Sequence, residues 1–280
     1  GKTTFGRALL KAAPISNGHV EYHDEEVSYN LETITKAELK DYRKRMQLIF
    51  QDPYAALSPR MTVRDILAEP IELMGLTSSR EETDEKVRII ATKCRLNLEH
   101  LRRFPHAFSG GQRQRISIAR ALISNPKFIV ADESVAALDV SIQADVLNLL
   151  KDMQKEMGLT YLFISHDLSV IAHICDQVAV MYLGQLVETA PTKELFAGPK
   201  HPYTKALLSA IPSLDPDDKG KAQKLEGEIP SPASPPPGCK FHTRCPFVTD
   251  ICKKEEPKLD YLTESHTVAC HHWKELDTPQ

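Results

Sequence analysis

The residues suited to chemistry fall in a few short stretches of a 280-residue chain. Gly1-Lys2-Thr3-Thr4 fits the end of a phosphate-binding loop, G-x-x-x-x-G-K-[ST]. In such a loop backbone N–H groups and a helix N-terminus wrap the phosphates. The lysine reaches the outer ones and the hydroxyl binds Mg²⁺. Taken alone, these four residues read more simply as a lysine at a chain end. The apolar run Phe128–Ala131 leads into paired carboxylates, Asp132 and Glu133. Acids at the C-terminal edge of a parallel sheet lie where α/β ligand sites form. Asp132 can hold a Mg²⁺ shell, while Glu133 can orient and deprotonate a water for attack on a γ-phosphate. The plain alternative is a strand followed by an acidic helix cap. Phe108-Ser109-Gly110-Gly111-Gln112 opens a long helix with an anion-binding nest, backed by the helix dipole. Gln112 and the run Arg113, Arg115 and Arg120 are more than a turn requires.

The second chemical cluster lies in the tail. Cys239, Cys245, Cys252 and Cys270 are separated by 5, 6 and 17 residues. Four thiols in a core-poor segment, with no secretory signal, point to a cross-linking metal centre rather than a disulfide framework. The lack of a tight Cys-x2-Cys pair makes a zinc ribbon less natural. His242, His266, His271 and His272 keep a mixed Cys/His zinc site open. Cys94 and Cys175 stand alone and read as inert, buried small hydrophobes.

These residues need elements to hold them. Met46–Phe50, Phe128–Ala131 and Thr160–Ile164 read as short buried strands. Ser109–Ile123 and Val140–Glu156 have helical spacing, with Asp139 as an N-cap. Alternating strands and helices imply a mostly parallel sheet with helices on its faces. Thr62–Arg103 is helical and charged with no strand signal, as an insertion between two halves of the sheet would be. Val178–Tyr182 and Gln185–Glu188 flank Leu183-Gly184, a hairpin signal. Tyr203–Ala210 reads as a short helix and Asp215–Gly220 as a polar linker. Ile229–Gly238, with five prolines, reads as extended polyproline II.

Composition narrows the classes. A hydrophobic fraction of 41% and a charged fraction of 26% exclude intrinsic disorder as the main state. A net charge of -3 gives no whole-chain reason to expect nucleic acid binding. The longest apolar stretches are strand-sized, so membrane association has to go through a partner.

Taken in order, the motifs resemble the nucleotide-binding subunit of an ABC transporter. Gln51 follows the first strand, as the Q-loop does in that family. Ser109–Gln112 lies about twenty residues before Asp132-Glu133, and Ala137-Leu138-Asp139 and Ser165-His166-Asp167 follow. Within the family the chain is similar to the ATPase subunits of oligopeptide and dipeptide importers, the second of the pair. Gln51–Met61, His201–Leu208 and the Cys-Lys-Phe-His-Thr-Arg-Cys-Pro tail carry that likeness. Phe108 replaces the usual Leu, and Ser134-Val135-Ala136 the usual Pro-Thr-Ser, which bears on the contact loop at Asp139 but removes no ligand.

The resemblance implies an α/β P-loop ATPase with a helical subdomain at about 62–125 and a small Cys-rich extension. It places the ATPase domain at 1–200, a helix and linker at 201–228, and the Pro- and Cys-rich tail at 229–280. It further implies an N-terminus lost from the sequence, with the adenine-stacking residue, the first strands and most of the phosphate loop. ATP would bind at Gly1, Lys2, Thr3, Thr4, Gln51 and Asp132, with Mg²⁺ on Thr3, Gln51 and Asp132. Glu133 and His166, the switch histidine, would be catalytic. Ser109, Gly110, Gly111 and Gln112 would act on the nucleotide of a facing subunit, with Asp139 at the dimer contact. The four tail cysteines would hold a [4Fe–4S] cluster, ahead of Zn²⁺ and of free thiols. Implied partners are a second ATPase subunit, two membrane-spanning permeases and, indirectly, a solute-binding protein, at the cytoplasmic face of the membrane. Rival readings are a non-transport ABC ATPase acting on DNA or ribosomes, or an importer subunit for nickel or glycosides.

Overall fold

Most helices in the first 166 residues begin on a side chain that can close their orphan N–H groups. The computed structural model describes residues 1–211 and 225–276. It divides into two units: residues 3–166, and residues 167–280 with Gly1 and Lys2. In the first, α1 (Lys2–Leu9) lies on the sheet at Gly6. A Cβ there would come within 2.9 Å of Val130 and 3.0 Å of Ile164, so glycine sets the approach. A short antiparallel pair follows, β1 (Glu21–His23) and β2 (Ser28–Asn30). Next come α2 (Lys36–Arg45), entered through a Thr35/Glu38 capping box, and β3 (Met46–Ile49). The one-turn helix α3 (Pro53–Ala56) starts on Asp52, whose carboxylate accepts from the Tyr54 N–H at 2.8 Å.

The stretch free of strand signal is helical: α4 (Val63–Leu73) starts on Thr62 and α5 (Arg80–Lys93) on Ser79. Then follow α6 (Gly110–Leu122), β4 (Phe128–Asp132), α7 (Val140–Met157) and β5 (Thr160–Ile164). Asp139 caps α7 as expected, and Gly158 ends it in the left-handed region at φ 64°. Strands β3, β4 and β5 pair in parallel with β4 in the middle. Ile129, Val130 and Ala131 of β4 are fully buried, which is why the run is apolar on both faces. The three strands and two long helices read from sequence therefore stand, with ends shifted by a residue or two.

In the second unit α8 (Leu168–Ile174) leads to the hairpin β6 (Gln177–Tyr182) and β7 (Gln185–Pro191). Leu183 and Gly184 turn it with φ of 44° and 85°, the two positive values of a type I′ turn. Helices α9 (Thr192–Ala197), α10 (Pro202–Ser209) and α11 (Asp250–Lys254) follow, with β8 (Asp260–Tyr261) and β9 (Thr267–Val268). The tail supplies strands to the hairpin, giving an antiparallel sheet in the order β6-β7-β9-β8. A segment too short for its own core borrows one. A buried carboxylate fastens it: Glu188 of β7 is fully enclosed and accepts from the backbone N–H groups of Lys200 and His201, at 2.7 and 3.0 Å. His266 Nε2 meets the same carboxylate at 2.9 Å. Burial pushes the His201 imidazole down to about 4.

Residues 229–238 form no helix or strand. The expected linker at 215–220 lies outside the described residues. Cys94 is buried as expected, and burial pushes its thiol up to about 12. Cys175 departs from expectation, being only half-buried at the end of α8, where its carbonyl accepts from Thr192.

Candidate functional site

Parallel pairing brings the C-terminal ends of β3, β4 and β5 to one edge of the sheet. Gln51 stands two residues past β3, Asp132 ends β4, and His166 stands two past β5. Asp132 is 4% exposed and accepts a hydrogen bond from Thr3 Oγ1 at 3.0 Å. Glu133 turns out of the strand with φ 47°, the left-handed region, while its N–H still bonds the Ile164 carbonyl at 2.9 Å. A non-glycine residue held there stores backbone strain, a feature that collects at functional sites. The turn aims its carboxylate along the sheet edge. Glu133 Oε2 accepts from Gln51 Nε2 at 2.7 Å, and Oε1 lies 3.3 Å from His166 Nδ1. Three motifs scattered over 115 residues thus meet on one carboxylate. The histidine, two-thirds exposed, is not a satisfied core residue.

The anion nest is built separately. Ser109 Oγ accepts from the Gln112 N–H at 3.4 Å, and Gln112 Oε1 accepts from the Ser109 N–H at 3.0 Å. This capping box holds the first turn of α6 open-faced. Gly111 packs on α7, where an added Cβ would fall 2.4 Å from Ile142 Cγ2. Ser109–Gln112 bond within their own turn and to neither Asp132 nor Glu133. Asp139 accepts from the Ile142 N–H at 3.0 Å and from Ser141 Oγ at 2.8 Å. Those donors hold its carboxyl below the usual range. Thr4 is exposed on α1, and Gly1 and Lys2 group with the other unit.

The arginine run along α6 is taken up by protein groups. Arg113 is 8% exposed, donates from Nε to the Pro105 carbonyl at 2.8 Å, and stacks 3.8 Å above the Tyr54 ring. Arg120 donates to the Ala56 carbonyl at 3.0 Å and pairs with Glu69 at 3.1 Å. Arg115 faces Asp145 at 3.8 Å. Tyr54 was missed from sequence; its signal is an aromatic in a Pro-started turn, three residues after Gln51.

Gly111→Ala is expected to push α6 off α7. Overpacking of this kind costs about 1–3 kcal/mol. Thermal unfolding should fall by several degrees, with hydrolysis reduced alongside. An unchanged melting temperature would show that the contact relaxes freely.

The four tail cysteines, with His201, His242, His271 and His272, line one pocket in the second unit. Among the described residues, no group of three or more His, Cys, Asp or Glu side chains is arranged to hold a metal ion. The iron–sulfur and zinc expectations therefore have no support from the placed side chains.

Known proteins carry the same layout. The family described as ABC transporter matches residues 1–136, and that described as oligopeptide/dipeptide transporter, C-terminal region, matches residues 187–252. Oligopeptide transport ATP-binding protein AppF of Bacillus subtilis is 48% identical over 273 residues, covering 97% of this chain and 82% of AppF. The chain belongs to the ABC transporter ATP-binding family. Di/tripeptide transport ATP-binding protein DppF of Pseudomonas aeruginosa is also similar to this ABC ATPase, at 46% identity over 272 residues, 97% of this chain and 82% of its own. Among solved structures, a dimeric ATP-binding cassette in a post-hydrolysis state, bound to ADP and Pi, aligns with a TM-score of 0.60. It is 26% identical and covers 69% of this chain and 81% of that one. Another solved structure, cbiO1 from Clostridium perfringens, described as part of the ABC transporter complex cbiONQ, aligns with a TM-score of 0.61 and 25% identity, covering 70% of this chain and 75% of that one. The P-loop α/β fold read from sequence is that of the family.

Proposed function

We propose that this ABC ATPase drives import of di- and oligopeptides, binding and hydrolysing ATP for a membrane permease. The observation that carries the reading is the meeting of Gln51 and His166 on Glu133, at the C-terminal edge of a parallel sheet, in a chain whose relatives are named for peptide transport. Glu133 acts as general base on the attacking water, and His166 holds that water and the γ-phosphate in line. Gln51 reports to the base whether nucleotide is present. The Gly1–Thr4 stretch opens α1 and offers N–H groups and a lysine to the phosphates, a role assigned from its sequence.

The residues present suit Mg²⁺: Thr3 Oγ1 and the Asp132 carboxylate are hard oxygen donors 3.0 Å apart, and the Gln51 side-chain oxygen can complete the set. Bound there, the ion neutralises charge on the β- and γ-phosphate oxygens. Ser109–Gln112 covers the γ-phosphate held by a facing ATPase subunit, with Asp139 at the contact between the two. Closing and reopening of that pair does work on two permease subunits, supplied in turn by a solute-binding protein. Among the described residues no helix is long and apolar enough to cross a membrane, which suits a subunit bound to permeases at the cytoplasmic face.

For the tail we favour one [4Fe–4S] cluster on Cys239, Cys245, Cys252 and Cys270, all of which line the same pocket.

The test is transport. With its partner subunits in sealed vesicles, the protein is expected to admit a labelled dipeptide only when ATP is supplied on its own side. Uptake of nickel or a glycoside, with no peptide, would replace the cargo and keep the ATPase. Hydrolysis stimulated by DNA or ribosomes and indifferent to the permeases would overturn the reading.

A further inference from the structure

Two arginines of α6 hold the short helix that follows Gln51. Arg113 and Arg120 are seven residues apart, two helical turns, and so share one face of α6. Arg113 lays its guanidinium on the Tyr54 ring at 3.8 Å and donates to the carbonyls of Pro105, at 2.8 Å, and His106, at 3.3 Å. It is almost fully buried, yet its contacts are two carbonyls and a ring face, with no carboxylate among them. A desolvated cation in that setting gains most from the π face. Arg120 takes the far end of the same helix through the Ala56 carbonyl at 3.0 Å and anchors to α4 through Glu69. Both ends of α3, a single turn with little to stabilise it alone, are tied to the helix that carries Ser109–Gln112.

We propose that this clasp makes the Gln51 segment and the Ser109–Gln112 nest move as one piece, with Tyr54 as a positioning residue. Resting on the ATPase reading above, it gives the nest a route to feel what Gln51 touches. Arg113 fixes Pro105 and His106, the turn leading into Ser109, so releasing the ring loosens that turn. Tyr54 itself is 64% exposed and outside the nucleotide residues, so its loss is expected to leave ATP binding by its own subunit unchanged.

The assembled transporter carrying Tyr54→Leu, Tyr54→Phe or Arg113→Lys is compared with the unaltered protein by amide hydrogen exchange and by ATPase kinetics. Because the ring is at the surface, Tyr54→Leu is expected to fold. Loss of a cation–π contact corresponds to about threefold to thirtyfold in an equilibrium. Exchange over residues 105–112 should rise by that factor in Tyr54→Leu, and kcat should fall comparably at unchanged KM for ATP. Tyr54→Phe, which keeps the ring, should stay within about twofold on the same scale. Arg113→Lys keeps the charge but loses the fork on the two carbonyls, and should behave like Tyr54→Leu. Normal exchange and kcat in Tyr54→Leu would overturn the clasp, and so would equal damage in Tyr54→Phe. Absence of ATP hydrolysis in the unaltered transporter would instead refute the ATPase reading, and the exchange data would still decide the clasp.

Discussion

Glu133→Gln is expected to retain ATP binding while kcat falls by about 10²–10⁴-fold, the usual cost of removing a general base. Expressed as a barrier this is about 3–5 kcal/mol. The substitution is close to isosteric, and a Gln carbonyl can still accept from Gln51 and keep that contact. What it loses is the ability to take a proton from water. Nucleotide binding and steady-state hydrolysis separate the two effects. Turnover within tenfold of the unaltered protein would remove Glu133 from the role of base. His166 provides the contrast. It touches the same carboxylate at 3.3 Å, so His166→Ala should lower kcat while leaving Glu133 able to accept a proton, and its loss should be the smaller one.

The parts of this site that could be read from sequence are those whose signal is local. An apolar run names a strand, a serine followed three residues later by glutamine names a helix start, and strand ends name a sheet edge once the pairing is parallel. Asp132 and Glu133 were reachable in this way, whereas Gln51 and His166 were reached only through the family resemblance. The left-handed backbone at Glu133 was not, because glutamate has no preference for that conformation and only the surrounding sheet imposes it. Nor was the inward turn of Arg113 and Arg120: a charged residue on a helix is ordinarily solvated, and its burial depends on carbonyls and a ring brought by other segments. The tail is the clearest case. Strands of two residues, Asp260–Tyr261 and Thr267–Val268, are too short to show alternation. The Glu188–His266 contact that fastens them spans 78 residues and leaves no pattern in either neighbourhood.

Anaerobically purified protein is expected to be brown and to carry about four irons per chain, if the four tail thiolates serve one cubane cluster. The backbone around Gly238 brings two of the cysteines together. Gly238 turns at φ 62°, and an added Cβ would fall 2.5 Å from the Cys252 carbonyl. Only glycine lets Cys239 approach close enough for its N–H to bond that carbonyl at 2.9 Å. Cys270 follows two residues after β9, which is pinned to β7, and lines the same pocket. Burial, with a smaller push from the other cysteines of the pocket, raises the Cys245 and Cys270 thiols to about 11. Four thiols line one pocket, and a bound metal would displace their protons and link the loops. Cys245→Ser should therefore bleach the protein and make residues 229–276 sensitive to protease, while ATP binding persists. Gly238→Ala should do the same without removing a ligand, since it separates Cys239 from Cys252. Colourless anaerobic protein holding one tightly bound zinc would sink the cluster in favour of the Cys/His alternative. Metal-free protein with a protease-resistant tail would refute both, and would leave the Glu188–His266 contact and the β7–β9 pairing as what holds the tail in place.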